Sequence, residues 1–462
     1  MKIIAKKKEK KTMGYQLGQE ILPLEEPFSH VVNNKYRSKF CDWCIQAEEG
    51  SEVKLKKCTG CKEVYYCNRE CQQKAYTTYH NKECKKLKTI PSFIASERRD
   101  VFILMGRTIT KIQNGGDQVS VKLPTGVERK FDDLMSHEDE IAHVHKDLIA
   151  PFKKPWCQKW FGDVSFEYLL RLFGKVTINQ HGLYSSTFEV IGPALYIGAS
   201  VFDHACSPNA VCITKNGKSI SIRAIENIES FSDVRICYIG PQDTNGRKKE
   251  LKVHYHFDCK CQLCEDEFRD SLMSSVKCPK YKNVGDKENK SDPFPHCVPI
   301  KTGKCVKCGT LTSDEILAKY QRLKTAITID SDDLNYAEWL IEAHTIFHPY
   351  DTTYHEFAQK CTRNMKFLMA RYQDQDEDTY ISLNIVMVIY VQKYFGKYDP
   401  IRAQIYFLCS DNLFQCVPET PESLQLAIQF LAQGLEVFEV SHGVDHPQFK
   451  LMKQKLDMLQ VA

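Results

Sequence analysis

Near the C-terminus the apolar positions step evenly along the chain. Leu424, Ile428, Leu431, Leu435 and Phe438 are separated by 4, 3, 4 and 3 residues, the spacing of one helical face. Gly443 predicts the end of that helix, and Pro447 the start of another whose face is Phe449, Met452, Leu456 and Leu459. A similar stripe, Phe357, Cys361, Met365 and Leu368, follows the His348-Pro349 pair much as the last one follows His446-Pro447. The region 271–462 is therefore expected to be all-α, built of stacked helical hairpins. These stripes are core, and no chemistry is assigned to them.

Upstream the period changes. From about 85 to 175 the pattern is mostly helical, as in Phe166–Phe173 (FEYLLRLF). Between 177 and 240 short apolar runs are punctuated by Gly, Asn and Pro and read as strands, with Asn216-Gly217 as a hairpin turn. Gln19–Leu22 and Phe28–Val32 add two strand-like segments, and a lysine-rich patch lies near 279–290. The most apolar stretch, Ile381–Phe395, is broken by Asn384 and Gln392 and is too short to cross a bilayer, so no membrane association is expected.

A chain of 462 residues exceeds one hydrophobic core. Hydrophobic residues at 42% and charged residues at 26% exclude wholesale disorder. The opening MKIIAKKKEKK lacks the apolar core and cleavage site of a secretory signal, and Lys6–Lys11 could serve as a nuclear one. An intracellular chain keeps its thiols reduced, so the 21 cysteines are read as metal ligands before disulfides. Residues 1–90 hold 19 Lys/Arg against 11 Asp/Glu, a surplus of 8 that leaves −4 for the rest. That surplus fits either a solvated lysine face or attraction to DNA or acidic peptides.

The cysteines fall into clusters. Cys41-x2-Cys44, Cys58-x2-Cys61, Cys67-x3-Cys71 and His80-x3-Cys84 supply eight ligands. A tight turn or one helical turn aims each pair at a common point, which suits two closed, structural zinc sites. Cys259-x-Cys261-x2-Cys264 offers three thiolates, and Cys206 in Asp203-His204-Ala205-Cys206-Ser207-Pro208-Asn209 is a distant candidate for the fourth. Cys305-x2-Cys308-Gly309 with Cys278 and Cys297 is either a fourth zinc site or a set of unpaired thiols. Cys157, Cys212, Cys237, Cys361, Cys409 and Cys416 remain and are expected to be buried thiols.

The order of the first pairs, with YYCNRECQQ among them, resembles a MYND zinc finger. DHACSPN is similar to the NHSCxPN motif of SET-domain lysine methyltransferases, and CKCQLC (Cys259–Cys264) to their post-SET zinc loop. Together with VSHGVDHP near the end, the chain resembles the SET and MYND domain family along nearly its whole length. The resemblance implies an α+β multidomain fold: a β-rich split SET domain with an inserted MYND finger, a post-SET zinc loop and a TPR-like C-terminal domain. The expected divisions are 1–40, a shortened N-terminal part of SET; 41–84, the finger; 85–178, a helical insertion; 179–240, the SET core; 241–270, post-SET; and 271–462, the helical domain. It also implies interleaved zinc ligands, Cys41, Cys44, Cys67 and Cys71 on one ion and Cys58, Cys61, His80 and Cys84 on the other.

By the same resemblance the activity is transfer of a methyl group from S-adenosylmethionine to a lysine of a histone or other protein. Tyr238 falls where the family has its active-site tyrosine. A phenol, with an ordinary pKa of about 10, is a poor base, so the expected role is orientation and electrostatics. His137, Asn179, Ser200, Asp203, His204, Tyr255 and Phe257 fall at or beside cofactor positions. Family partners would be a lysine-containing substrate, proline-rich peptides on the finger and a chaperone on the helical tail, for a monomer shared between cytoplasm and nucleus.

Three departures stand out. The family's opening Gly-x-Gly is not found in Ala5–Leu22, where Gly14 and Gly18 lack that spacing. Asp203 and Ala205 replace the asparagine and serine around the motif histidine, and Met135 stands where relatives often have an acidic residue. A carboxylate cannot donate the hydrogen bond of an amide. These departures set a second reading, a SET and MYND scaffold that recruits partners without efficient catalysis, beside the enzyme.

Overall fold

A computed structural model describes residues 14–47, 53–91, 94–185, 189–215, 217–240, 242–281, 296–329, 336–363, 377–416 and 420–461. The Lys6–Lys11 run, the segment before Gly14, Asn216, most of the lysine-rich patch, Met365 and Leu368 lie outside them. The chain divides into two compact units: residues 1–236 with 250–258, and residues 237–249 with 259–462.

In the first unit β1 (Glu20–Glu25), β2 (Ser29–His30), β3 (Lys56–Lys57), β4 (Tyr65–Tyr66), β5 (Val121–Lys122), β6 (Glu128–Arg129), β7 (Gln180–Tyr184), β8 (Val190–Leu195), β9 (Asp203–His204), β10 (Ala210–Lys215), β11 (Ser219–Ala224) and β12 (Arg235–Ile236) form small sheets. Two of these have three strands, in the orders β1-β11-β10 and β2-β8-β7. β11 is central because Ser219, Ile220, Ser221 and Ile222 are all buried, so both of its faces are covered. Pro23 sits in edge strand β1, where the register with β11 shifts. The expected hairpin is β10–β11, which closes through Gly217 at φ 79°. β8 passes so close to the preceding segment that a Cβ on Gly192 would lie 1.9 Å from the Val31 carbonyl oxygen. The helix Ser96–Gln113 carries Phe102, Ile103, Leu104, Met105 and Ile109 into the core.

The second unit is mainly helical, with one hairpin of β13 (Ser275–Lys277) and β14 (Cys297–Pro299). Helices Asp314–Ile329, Tyr336–Ile346 and Thr352–Arg363 surround a buried Asp351, which accepts bonds from Ser275 N–H, Tyr354 N–H and the Tyr320 hydroxyl. Helices Glu377–Tyr394, Pro400–Cys416, Pro421–Ser441 and Pro447–Val461 then pack in sequence, each on the next. None of the described helices is long and apolar enough to cross a membrane.

The predicted stripe on Pro421–Ser441 is wider than expected. Leu431, Leu435 and Phe438 are buried, but so are Ala427, Phe430, Gly434 and Val437, whereas Leu424 and Ile428 are only half-buried. This helix lies between two neighbours, and Gly434 lets the ring of Phe407 approach to 2.5 Å of where a Cβ would stand. A single stripe cannot serve two contacts. Phe449 and Met452 are half-buried on the last helix, and Leu456 and Leu459 are buried. Gly443, at φ 85°, ends the longer helix as its position predicts.

Candidate functional site

The eight finger ligands gather as two sets. The sulfurs of Cys41, Cys44, Cys67 and Cys71 lie within 4.8 Å of one another, as do the ligand atoms of Cys58, Cys61, His80 and Cys84. In both Cys-x2-Cys turns the residue after the second cysteine is left-handed, Ile45 at φ 64° and Lys62 at φ 58°. Ile45 N–H donates to the Cys41 carbonyl and Lys62 N–H to the Cys58 carbonyl, each at 2.9 Å. Four sulfurs converge in one set, and three sulfurs with one imidazole in the other, each a complete tetrahedral shell, which is the chemistry of structural zinc.

His80 reaches its set through an unusual helix. The helix Arg69–Ala75 runs into a wide π turn at Tyr76–His80, where the Thr77 and Thr78 hydroxyls donate back to the Gln73 and Lys74 carbonyls. His80 Nε2 then lies 3.3 Å from Cys58 Sγ, and Nδ1 lies 3.2 Å from Glu83 Oε1. A carboxylate behind the imidazole directs the other nitrogen to the metal. Glu83 is gripped by Arg107, from Nε at 3.0 Å and Nη2 at 2.7 Å. Arg107 also donates to Asp42 Oδ2 at 2.8 Å and the His30 carbonyl at 2.8 Å, and lies 4.0 Å from the Tyr79 ring centroid. Burial pushes the Asp42 carboxyl up; burial would raise Glu83 too, but Arg107 holds it below the ordinary carboxylate range.

Sequence reasoning missed this group. Arg107 stands on the helix Ser96–Gln113 and Asp42 between two cysteines, so nothing local pairs them. An arginine and an aspartate embedded in otherwise apolar or ligand positions were the available signal.

The motif DHACSPN begins on β9, which pairs in parallel with β12, Asp203 opposite Arg235 and His204 opposite Ile236. Asn209 secures the pair: its Oδ1 accepts from Arg235 N–H at 2.7 Å and its Nδ2 donates to the Asp233 carbonyl at 2.8 Å. The cofactor candidates of this unit make two separate sets of contacts. The Ser200 hydroxyl donates to the Asn179 carbonyl at 3.2 Å, and the buried Asn179 amide to the Met135 carbonyl at 2.9 Å. Two residues on, the His137 ring lies 5.6 Å from that of His256, and Phe257 lies 6.0 Å from His204. His137 and His256 both have positive φ, 45° and 62°. Left-handed backbone at bulky residues is strained, and such strain gathers at working sites. Asp203 is exposed, and Tyr255 ends the helix Thr244–Tyr255.

The second unit holds the remaining candidates. Tyr238 is half-buried just beyond β12. The sulfurs of Cys259, Cys261 and Cys264 lie within 4.8 Å of one another, with the Arg247 guanidinium 3.9 Å from Cys264 Sγ. A further cluster joins Cys278, Cys305 and Cys308 to His296, not to the expected Cys297. Cys297 lies in β14 opposite Lys277, and alternation turns its side chain into the core while its neighbour faces the sulfurs. Of the cysteines expected to be buried thiols, Cys157, Cys361 and Cys409 are, Cys212 is half-buried, Cys237 is exposed, and the side chain of Cys416 is outside the described residues.

The MYND finger family matches residues 41–84. Histone-lysine N-methyltransferase ASHR1 of Arabidopsis thaliana is 25% identical over 452 residues, 95% of this chain and 90% of that protein. Histone-lysine N-methyltransferase SMYD3 of Homo sapiens is 30% identical over 265 residues, 55% of this chain and 58% of that protein. The chain is similar to the SET and MYND domain lysine methyltransferases. N-lysine methyltransferase SMYD2 of Homo sapiens, 25% identical, covers 54% of the chain and 56% of its own length. The chain thus spans little more than half the length of these animal relatives, and its nearness to SMYD3 is modest. The finger, the small sheets and the helical C-terminal region agree with this kinship.

Proposed function

We propose that this protein is an S-adenosylmethionine-dependent protein-lysine N-methyltransferase with a split SET domain and a post-SET zinc loop. The observation that carries the reading is that Ser200 bonds Asn179, Asn179 bonds the Met135 carbonyl two residues before His137, and the His137 and His204 rings lie near those of His256 and Phe257. The names of the relatives support it, one of them along 95% of this chain. His137, Asn179, Ser200, Asp203, His204, Tyr255 and Phe257 would hold the cofactor, which supplies an electrophilic methyl on a sulfonium. Half-buried aromatic groups and hydrogen-bonded carbonyls fit a ligand that is part adenine and part amino acid. Tyr238 orients the substrate amine, and the aromatic walls exclude water. Cys206 completes the zinc set begun by Cys259, Cys261 and Cys264. The substrate is a lysine-bearing histone or other protein, the finger takes proline-rich peptides, and the helical tail docks a chaperone. A monomer of cytoplasm and nucleus fits these roles; DNA binding through the basic N-terminal surplus is a lesser part of the reading.

Calorimetry of the full chain with S-adenosylmethionine tests this reading. Saturable binding is expected, and Tyr238→Phe should lower methyl transfer about 100-fold with binding retained. Failure to bind at millimolar cofactor would overturn the enzyme and leave the scaffold, which the exposed carboxylate of Asp203 and the exposed Met135 favour.

A further inference from the structure

Outside the finger, one turn of the second unit repeats the finger's backbone. Gly309 N–H donates to the Cys305 carbonyl at 3.0 Å, as Ile45 does to Cys41 and Lys62 to Cys58. Gly309 has φ 69°, beside 64° and 58° in the finger. Cys305 N–H reaches the carbonyl five residues on, that of Thr310, as Cys41 N–H reaches that of Gln46, both at 2.9 Å. The flanking bridge also recurs at the same offset, Lys304 with Leu311 and Phe40 with Ala47. Such a turn directs two thiolates to one point, so its recurrence points to a metal independently of the side-chain cluster.

The other two donors come from the end of the β13–β14 hairpin at which the chain passes from one strand to the other. Lys277 pairs with Cys297, and Cys278 N–H donates to the His296 carbonyl at 3.2 Å, which sets Cys278 and His296 side by side. Cys278 Sγ then stands 3.6 Å from Cys308 Sγ, and His296 Nδ1 stands 3.8 Å from Cys305 Sγ. All four ligand atoms lie within 4.8 Å of one another. Three thiols and an imidazole crowded together without an ion would gain little from each other; around a tetrahedral ion they supply a complete shell. Soft sulfur with one nitrogen selects zinc over magnesium or calcium.

We infer that Cys278, His296, Cys305 and Cys308 bind a structural zinc ion that locks the β13–β14 hairpin to the Cys305 turn. Its energy comes from closing a loop of 30 residues, from Cys278 to Cys308, at both ends. Cys308 is exposed, whereas His80, Cys41 and Cys61 in the finger are fully enclosed. The ion at this turn is therefore the one a chelator removes first.

Metal analysis of the purified full chain and its variants tests the assignment, whatever the methyl-transfer activity proves to be. Cys308→Ser, at an exposed position, should lower zinc by one equivalent, and so should His296→Ala. His296→Cys should keep the full content, which a merely structural role for the imidazole would not allow. Cys297→Ser should leave the metal count unchanged. The assignment is overturned if Cys308→Ser retains every ion, or if Cys297→Ser loses one and His296→Ala does not.

Discussion

The finger and the hairpin of the second unit use the same Cys-x2-Cys turn, but what stands behind the metal ligands differs. In the finger, His80 is backed by Glu83, and Glu83 by Arg107, a buried guanidinium that also holds Asp42 and the His30 carbonyl. The ligand His80, helix Ser96–Gln113 and the strand of His30 are thus joined by one buried polar network. In the second unit the buried polar groups include the Asp351 carboxyl, held by hydrogen bonds from Ser275 N–H, Tyr354 N–H and the Tyr320 hydroxyl, and imidazoles set among aromatic rings. His348 lies between the rings of Tyr281 and Tyr350, and His355 stacks on Tyr390 at 3.9 Å. The finger ligands are thus backed by a buried cation, whereas in the second unit a carboxyl is held by amide and hydroxyl donors and imidazoles lie among aromatic rings, and the two should fail differently.

The largest expected effect comes from breaking the charged network. Arg107→Ala leaves Glu83 and Asp42 buried without their cation, a loss of about 3–5 kcal/mol for such a site. Urea unfolding followed by tryptophan fluorescence reports on it, since Trp43, Trp156 and Trp160 all belong to the first unit. Faster chelation of the Cys58–His80 set is expected as well, with the Cys305 set unaffected. A change below about 1 kcal/mol would mean that the network contributes no more than a surface pair.

Next is the pH response of the second unit. Burial lowers His344 to about 4 and His348 and His355 to about 3. Each binds a proton in the unfolded chain below about pH 6.5 but not in the folded one, so stability is complete above that value and falls as pH drops. At pH 5 each costs roughly 2 kcal/mol. Asp351 and Asp399 oppose this: burial raises both to about 6, so folding takes up their protons as pH falls from about 6 towards 4. Three histidines against two carboxylates leave a net loss towards pH 5. His348→Asn keeps an acceptor for the Tyr350 amide, which bonds His348 Nδ1 at 3.1 Å. It should flatten the dependence of the helical circular-dichroism midpoint between pH 7.5 and 5 by about 2 kcal/mol. An unchanged slope would show that His348 is protonated in the folded protein.

How much of this could be read from the chain follows the same division. The finger sets were legible because their ligands lie in short, fixed spacings, and helices such as Pro421–Ser441 because their periodicity is local. The Arg107 group was not, since it joins positions 42, 83 and 107 through tertiary packing. The expected ligand Cys297 gives way to His296 because of strand register, which only the β13–β14 pairing reveals. Asn179, Ser200 and His204 come from the family motif alone, whereas the positive φ of His137 and His256 has no counterpart in composition or spacing.

The smallest expected effects probe the shared turn itself. Its left-handed residue is glycine in the second unit but Ile45 and Lys62 in the finger. An L side chain in that conformation costs roughly 1–2 kcal/mol, while glycine costs about 0.5–1 kcal/mol more unfolded-chain entropy than a residue with a Cβ. Lys62 is exposed, so Lys62→Gly removes strain with little loss of packing and should stabilise the finger by about 0.5 kcal/mol. Gly309→Ala should act the other way, destabilising its turn by about 1 kcal/mol, since the new Cβ meets only the flexible end of Lys304 at 3.3 Å and the cost lies in φ. Opposite signs in paired unfolding curves would show that the two turns share one backbone requirement and differ only in which residue meets it. Equal signs would separate them, and with them the structural ground for reading the Cys305 turn as a metal knuckle.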